Sequence, residues 1–305
     1  VLFFPSINIK LAACQALYQC VDKGTVFSEN RLMGYGGNFP DLGEARVMGI
    51  LNVTPDSFYD GGKYPAEAQW LAQAGKMISE GASMIDIGGM STRPGAGEIS
   101  AREEWDRLLP AIRSIRKSFP EICISVDTYR SLTAEKAIGE GADMVNDISG
   151  GTFDPQMAGF IGKHDIPFVI MHIQGKPETM QQRPEYGDII NDIHSFFERQ
   201  IRLFGEAGAR KLILDPGFGF GKSLEDNYIL LRQLGRFNEA GFPLMAGLSR
   251  KSMINRVLGT TAAEALNGTT VLNTIALLKG ARILRVHDVR EAVEAVSLVK
   301  KLNGE

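Results

Sequence analysis

The chain has 305 residues, 44% of them hydrophobic and 23% charged, and a formal net charge of −3. That length suits one (β/α)8 barrel of about 250 residues plus insertions, or two ordinary domains, and no apolar run approaches the roughly 20 residues of a membrane span. The charge excludes a globally basic surface for nucleic acid, so any attraction for an anionic substrate has to come from local Arg and Lys. The three cysteines, Cys14, Cys20 and Cys123, are too few and scattered for a disulfide framework or a zinc site. Cys123 lies in an apolar run and reads as a small core hydrophobe. The string LAAC at 11–14 looks like a lipoprotein cleavage site, but Lys10 precedes it where a long apolar core should be. A cytoplasmic location is expected.

Residues 1–45 are expected to form an N-terminal extension, with short strands over 7–10 and 25–27 at a barrel bottom and a helix over 11–21. Gly34, Gly36, Gly37 and Pro40 then mark a loop. From Arg46 to His287 one unit recurs eight times: a short apolar run ending on a polar or ionisable residue. The runs end at Asn52, Asp86, Asp127, Asn146, His172, Asp215, Arg250 with Lys251, and His287. Buried parallel strands read as continuous apolar runs, and their alternation with helical patterns implies βαβ units. Helical periodicity is clearest over 66–80, 100–118, 131–140, 189–207, 262–279 and 288–302, the last opening on Asp288 as a cap. Gly81, Gly141 and Gly208 each follow a helix, as glycines that terminate helices do. Eight units predict a single-domain α/β (β/α)8 barrel over 46–305. In such a barrel the active site sits at the C-terminal ends of the strands.

The first βα loop, 52–62, is long, and long loops tend to be functional. It combines Pro55, Phe58, Gly61 and Gly62 with the oxygen donors Asn52, Asp56 and Asp60. Such donors suit Mg²⁺ held together with substrate phosphates; the alternative is a solvated Asx-turn loop. The second loop, 91–97, carries Arg93, either an anion partner or a solvated charge. Together the two loops read as a lid.

Asp127, Asn146 and Asp215 end the third, fourth and sixth runs. Facing inward, they would recognise a heterocycle with several N–H and C=O groups, because buried donors and acceptors need partners. Each acid could instead cap a helix. The string GKS at 221–223 matches the end of a P-loop, but Pro216 stands where that motif needs Gly, and nucleotide hydrolysis is excluded. The glycines of 217–221 would rather let backbone approach a flat ligand beside Phe220. Arg285 and His287 alternate along one strand and share a face, where barrels frequently bind phosphate; Asn52 on the neighbouring strand could join them. No Ser–His or Cys–His arrangement is visible among the strand ends.

These loops together resemble the dihydropteroate synthase family of pterin-binding barrels. The matching strings are MGILNVTPDSF at 48–58, STRPG at 91–95, VDT at 126–128, NDISG at 146–150, DPGFGFGK at 215–222, SRK at 249–251 and RVHD at 285–288. They occur in the family's order across about residues 46–300, while 1–45 carries no family motif.

The resemblance implies condensation of 6-hydroxymethyl-7,8-dihydropterin pyrophosphate with p-aminobenzoate, giving 7,8-dihydropteroate and pyrophosphate, with Mg²⁺. It implies that Asp127, Asn146, Asp215 and Lys251 hydrogen-bond the pterin, with Met171 and Arg285 against its faces. Asn52, Arg285 and His287 would grip pyrophosphate, with Asn52 and Asp60 toward Mg²⁺. Phe58, Thr92, Arg93, Pro94, Phe220, Lys251 and Ser252 would form the aminobenzoate pocket. It also implies a dissociative substitution, sensitivity to sulfonamides and a homodimer. The rival readings are a pterin-binding methyltransferase barrel, which would need neither both lid loops nor the Arg285/His287 anion grip, and a pterin-binding paralogue without turnover.

Overall fold

The computed structural model describes residues 37–54, 66–90, 97–177, 180 and 185–304. Eight strands close into a barrel in sequence order, every pairing parallel. They are β1 (Arg46–Asn52), β2 (Met84–Gly88), β3 (Cys123–Asp127), β4 (Met144–Asp147), β5 (Phe168–Met171), β6 (Leu212–Asp215), β7 (Leu244–Ala246) and β8 (Ala281–Val286). The helices among the described residues are α1 (Ala66–Ser79), α2 (Ala101–Ser118), α3 (Ser131–Gly139), α4 (Met157–His164), α5 (Ile189–Glu206), α6 (Leu224–Arg232), α7 (Ser252–Leu258), α8 (Leu266–Leu278) and α9 (Val289–Leu302). The predicted (β/α)8 barrel is therefore the fold.

Side chains alternate between the two faces of each strand, and this period sorts the sequence into layers. One parity, including Ile85, Val126, Phe168, Leu214 and Leu284, packs outward against the helices in the large core cluster. The other parity faces the barrel axis. At its lower end Met48, Met84, Cys123, Met144, Val169, Ile213, Met245 and Ile283 form a second buried cluster, joined by Phe39 and Leu42 from the described part of the expected extension. Two residues further along, the same parity changes character on most strands, to Asp86, Ser125, Asn146, Met171, Asp215, Gly247 and Arg285, with Ile50 on β1 remaining apolar. The apolar lower layer seals the barrel and the polar layer above it faces the mouth.

Three local expectations change. The seventh strand stops at Ala246, so Lys251 is not a strand-end residue but the N-cap position of α7. The helix expected from 262 begins at Leu266. Asp288 stands at the N-cap of α9 but makes no capping bond. Its carboxylate instead takes Arg250 Nε at 2.9 Å and Nη2 at 2.6 Å, a bidentate pairing that outcompetes one backbone N–H. Gly81, Gly141 and Gly208 do take positive φ after their helices, at 102°, 105° and 105°.

The far end of the barrel is tied by Arg116 of α2. Its guanidinium donates to the carbonyls of Gly141 at 3.0 Å, Pro120 at 2.7 Å and Ile122 at 2.8 Å, and pairs with Asp143. Removing it strands these acceptors, so Arg116→Ala is expected to cost about 2–4 kcal/mol. Because this network lies away from the mouth, ligand affinity measured on the remaining folded protein should not change. A melting temperature equal to wild type would contradict the assignment.

Candidate active site

The polar layer centres on one half-buried cation. Arg285 leaves β8 into the barrel and meets two carboxylates, Asp86 Oδ2 at 2.6 Å from its Nε and Asp127 Oδ2 at 2.9 Å from its Nη2. An unpaired guanidinium there would carry a desolvation penalty of several kcal/mol, and its planar fork suits two carboxylates at once. Asp86, fully buried, also accepts from Asn146 Nδ2 at 2.9 Å with the same Oδ2. One carboxylate thus links β2, β4 and β8. Burial, followed by the negative charge of Asp86, pushes the Asp127 carboxyl up to about 7 against the pull of Arg285.

Asp127, Asn146, Met171, Asp215, Phe220, Lys251 and Arg285 line a single cleft open at the barrel mouth. All seven are among the residues singled out in the sequence. Asp215 turns one oxygen to the Gly217 N–H at 2.7 Å, so it tightens its own loop as well as facing the cleft, and burial raises its pKa. The Lys251 ammonium lies 4.1 Å from the ring centroid of Phe220, a cation–π contact. Burial lowers the Lys251 pKa to about 8, opposed by the charge of Asp215.

The loop carrying Phe220 is locked from beneath by Lys222. Its buried ammonium donates to the carbonyls of Gly217 at 2.8 Å, Phe220 at 3.0 Å and His172 at 3.2 Å, and sits 3.1 Å from His172 Nδ1. Gly217 is held at a φ of 70° with its α-carbon so close to β5 that a Cβ would stand 2.0 Å from the His172 carbonyl oxygen. Gly217 and Gly221 thus allow the loop to pack closely on the segment after β5, while Gly217 also borders the cleft and Gly219 borders Lys251. His172, unassigned from sequence, is part of this lock.

His287 follows β8. Ser249 Oγ lies 3.0 Å from its Nδ1 and accepts its backbone N–H at 3.2 Å. This is a Ser–His pair, contrary to the sequence reading, in which a buried hydroxyl meets the ring from its Nδ1 side. His287 is exposed to solvent at the end of β8. Arg250 turns away to Asp288 and to the Ala262 carbonyl.

Asn52 ends β1, its Oδ1 bordering Gly88 alongside the Asp127 side chain. Ser252 is exposed at the start of α7. Asn52, Ser252 and His287 lie outside the lining of the cleft. Phe58, Asp60, Thr92, Arg93 and Pro94 lie outside the described residues. Among the described residues no group of three or more His, Cys, Asp or Glu side chains could hold a metal ion.

Sequence reasoning undervalued Asp86 and gave Lys222, Ser249 and Asp147 no role. Parity alone could have found Asp86, which alternates with the inward Met84. Asp147 lies outside that inward row; it accepts from Ser149 N and Gly151 N at 2.7 and 2.9 Å and so shapes the turn after β4. The Asp-x-Ser string is the signal for it.

Asp127 titrates in the fold at about 7 instead of 3.8. Between those values the folded chain keeps a proton that the unfolded chain has released. The associated stability is complete at low pH and lost as pH rises through 7. Asp127→Asn should flatten the fall in melting temperature between about pH 5 and pH 7; an unchanged slope would rule out this titration.

The family model for pterin binding enzymes matches residues 48–287. The dihydropteroate synthase of Escherichia coli is 44% identical over 266 residues, covering 87% of this chain and 94% of that protein. The solved structure of the Yersinia pestis dihydropteroate synthase with a sulfonamide drug superposes with a TM-score of 0.82 at 43% identity, covering 87% of this chain and 97% of that one. The Xanthomonas albilineans dihydropteroate synthase in complex with 7,8-dihydropteroate gives a TM-score of 0.80 at 34% identity, covering 88% and 97%. With a barrel whose mouth gathers the family's strand-end residues into one cleft, this chain belongs to the pterin-binding enzymes and, within them, to the dihydropteroate synthases.

Proposed function

We propose that the chain is a transferase that condenses 6-hydroxymethyl-7,8-dihydropterin pyrophosphate with p-aminobenzoate, releasing pyrophosphate and 7,8-dihydropteroate. The observation that carries this reading is the convergence of Asp127, Asn146, Met171, Asp215, Phe220, Lys251 and Arg285 on one cleft at the barrel mouth. In this reading Asp127, Asn146, Asp215 and Lys251 hydrogen-bond the pterin, with Met171 and Arg285 against its faces. Asn52, Arg285 and His287 hold the diphosphate. Phe220, Lys251 and Ser252 form the described side of the aminobenzoate pocket, and Phe58, Thr92, Arg93 and Pro94 its other side.

The bond between the pterin methylene and the diphosphate oxygen breaks with both electrons leaving on oxygen. The methylene cation is stabilised by its own ring and by the nearby carboxylates. The arylamine nitrogen then attacks the methylene carbon and loses a proton to give the neutral product. The protein contributes position and charge stabilisation, which usually dominates such catalysis. His287 donates a ring N–H to the leaving diphosphate and stabilises the charge that develops there.

Mg²⁺ belongs to this proposal. Asn52 and Asp60 would hold it, and a site poor in acidic clusters among the described residues fits an ion completed by substrate phosphate oxygens and water. When bound, the ion would neutralise charge on the departing diphosphate. A homodimer is proposed on the exposed apolar residues Val271 and Leu278 of α8 and Leu298 and Leu302 of α9, each pair sharing a helix face. A cytoplasmic site of action is proposed with it; no described helix is long and apolar enough to cross a membrane.

A coupled pyrophosphate-release assay tests the reaction. Release should require pterin pyrophosphate, p-aminobenzoate and Mg²⁺ together, and release no greater than that of a Lys251→Ala control would sink the proposal. His287→Ala should raise KM for the pterin substrate about tenfold, the equivalent of one lost hydrogen bond to a charged group, with KM for aminobenzoate unchanged. For the dimer, light scattering should give twice the chain mass, and Val271→Glu with Leu278→Glu should return the monomer; a monomeric wild type would refute it.

A further inference from the structure

The hydrogen-bond direction of the cleft is set from below. Asn146 lines the cleft, and its amide has two ends that differ only in polarity, NH₂ donating and oxygen accepting. The donor end is taken by Asp86 Oδ2 at 2.9 Å. That oxygen is itself fixed by the Arg285 Nε–H at 2.6 Å. Flipping the amide would set its oxygen against a carboxylate oxygen in a buried place, two acceptors with no proton between them. The acceptor end, Asn146 Oδ1, is buried and has no hydrogen-bond partner among the described residues. An unpartnered buried acceptor is costly, a cost that a ligand N–H can recover and a ligand carbonyl cannot.

We propose that Asp86 is a positioning residue that fixes Asn146 with its carbonyl toward the ligand, so that the cleft selects a heterocycle edge bearing N–H donors and rejects the same edge bearing oxygen. The inference rests on the pterin reading of the cleft. Asp86 does not touch the ligand in this account; it acts through Asn146. Asp215 adds a second acceptor and Lys251 the opposing donor, so the amide completes a pattern of acceptors facing a ring amino group.

The test compares binding of a pterin with that of its 2,4-dioxo analogue, in which oxo replaces the ring amino group, by calorimetry on the full chain. The wild type should favour the amino compound strongly. In Asp86→Ala the amide is free to turn and offer its NH₂ to the oxo group, so the preference should fall by about tenfold or more, as one hydrogen bond of 1.4 kcal/mol would give. Asp86→Asn should keep most of the preference, since a side-chain oxygen at the Oδ2 position still accepts from both Asn146 and Arg285. The new NH₂ would sit by Ser125, the register partner of Asp86, whose Oγ also lacks a partner.

In an Asn146→Ala background, Asp86→Ala should change the preference no further, the coupling expected of a residue acting through another. General loosening of the barrel would weaken both ligands alike and leave the ratio intact. A wild-type ratio in Asp86→Ala, or equal effects of that substitution with and without Asn146, would overturn the role of Asp86 alone. Failure of the wild type to bind the pterin at all would overturn the underlying reading of the cleft instead.

Discussion

A guanidinium at the mouth of a closed barrel, here with 21% of its side-chain surface exposed, needs carboxylate partners for most of its charge, and the mouth of this protein is built around that constraint. Arg285 reaches the axis from β8, and Asp86 and Asp127 meet it from β2 and β3. Three strands are thereby joined by charge as well as by their ladders. The pairing also spreads outward. Asp86 engages Asn146, and its charge helps to keep Asp127 protonated to about 7. Lys251 and Asp215 stand across the same cleft with opposite charges that oppose each other's desolvation. The site is consequently close to charge balance before a ligand arrives, and selects by the direction of its donors and acceptors more than by field.

The two halves of each strand divide the labour. Below, the inward row is apolar and continuous with Phe39 and Leu42; above, it is polar and ready for chemistry. The second and third βα connections hold the mouth through polar ties that touch no cleft residue, as where Arg130 pairs with buried Glu104 at 2.7 Å and takes the Ile99 carbonyl at 2.7 Å. The loop after β6 is closed from inside by Lys222. Rigid support of this kind lets cleft residues keep their geometry without ligand.

The barrel was legible because its strands are buried on both faces and therefore read as unbroken apolar runs. The cleft was legible because those runs stop on residues too polar to be there for packing. What escaped the sequence lay one layer deeper or depended on a three-dimensional choice. Asp86 sits two residues before the end of its strand, and its neighbours in space come from positions 60 and 199 residues away. Lys222 carried no role once the phosphate-loop match failed at Pro216, since nothing local tells a lysine that four chain atoms will surround it. Asp288 satisfied every local rule for a cap and was claimed by Arg250 instead. Ser249 and His287, 38 residues apart, became a pair only when β7 and β8 came together.

The lower inward row contains Met48, Met84, Met144 and Met245 among its eight strand positions. Methionine is unbranched and adaptable, able to refill irregular space when a neighbour changes. Half of the barrel's plug is thus deformable, while the layer just above tolerates almost no displacement of its hydrogen bonds. The two layers present different targets to evolution. Volume changes near the bottom can be absorbed by repacking and remain silent for chemistry, whereas the mouth is constrained atom by atom. Related chains can drift freely beneath a site that stays fixed.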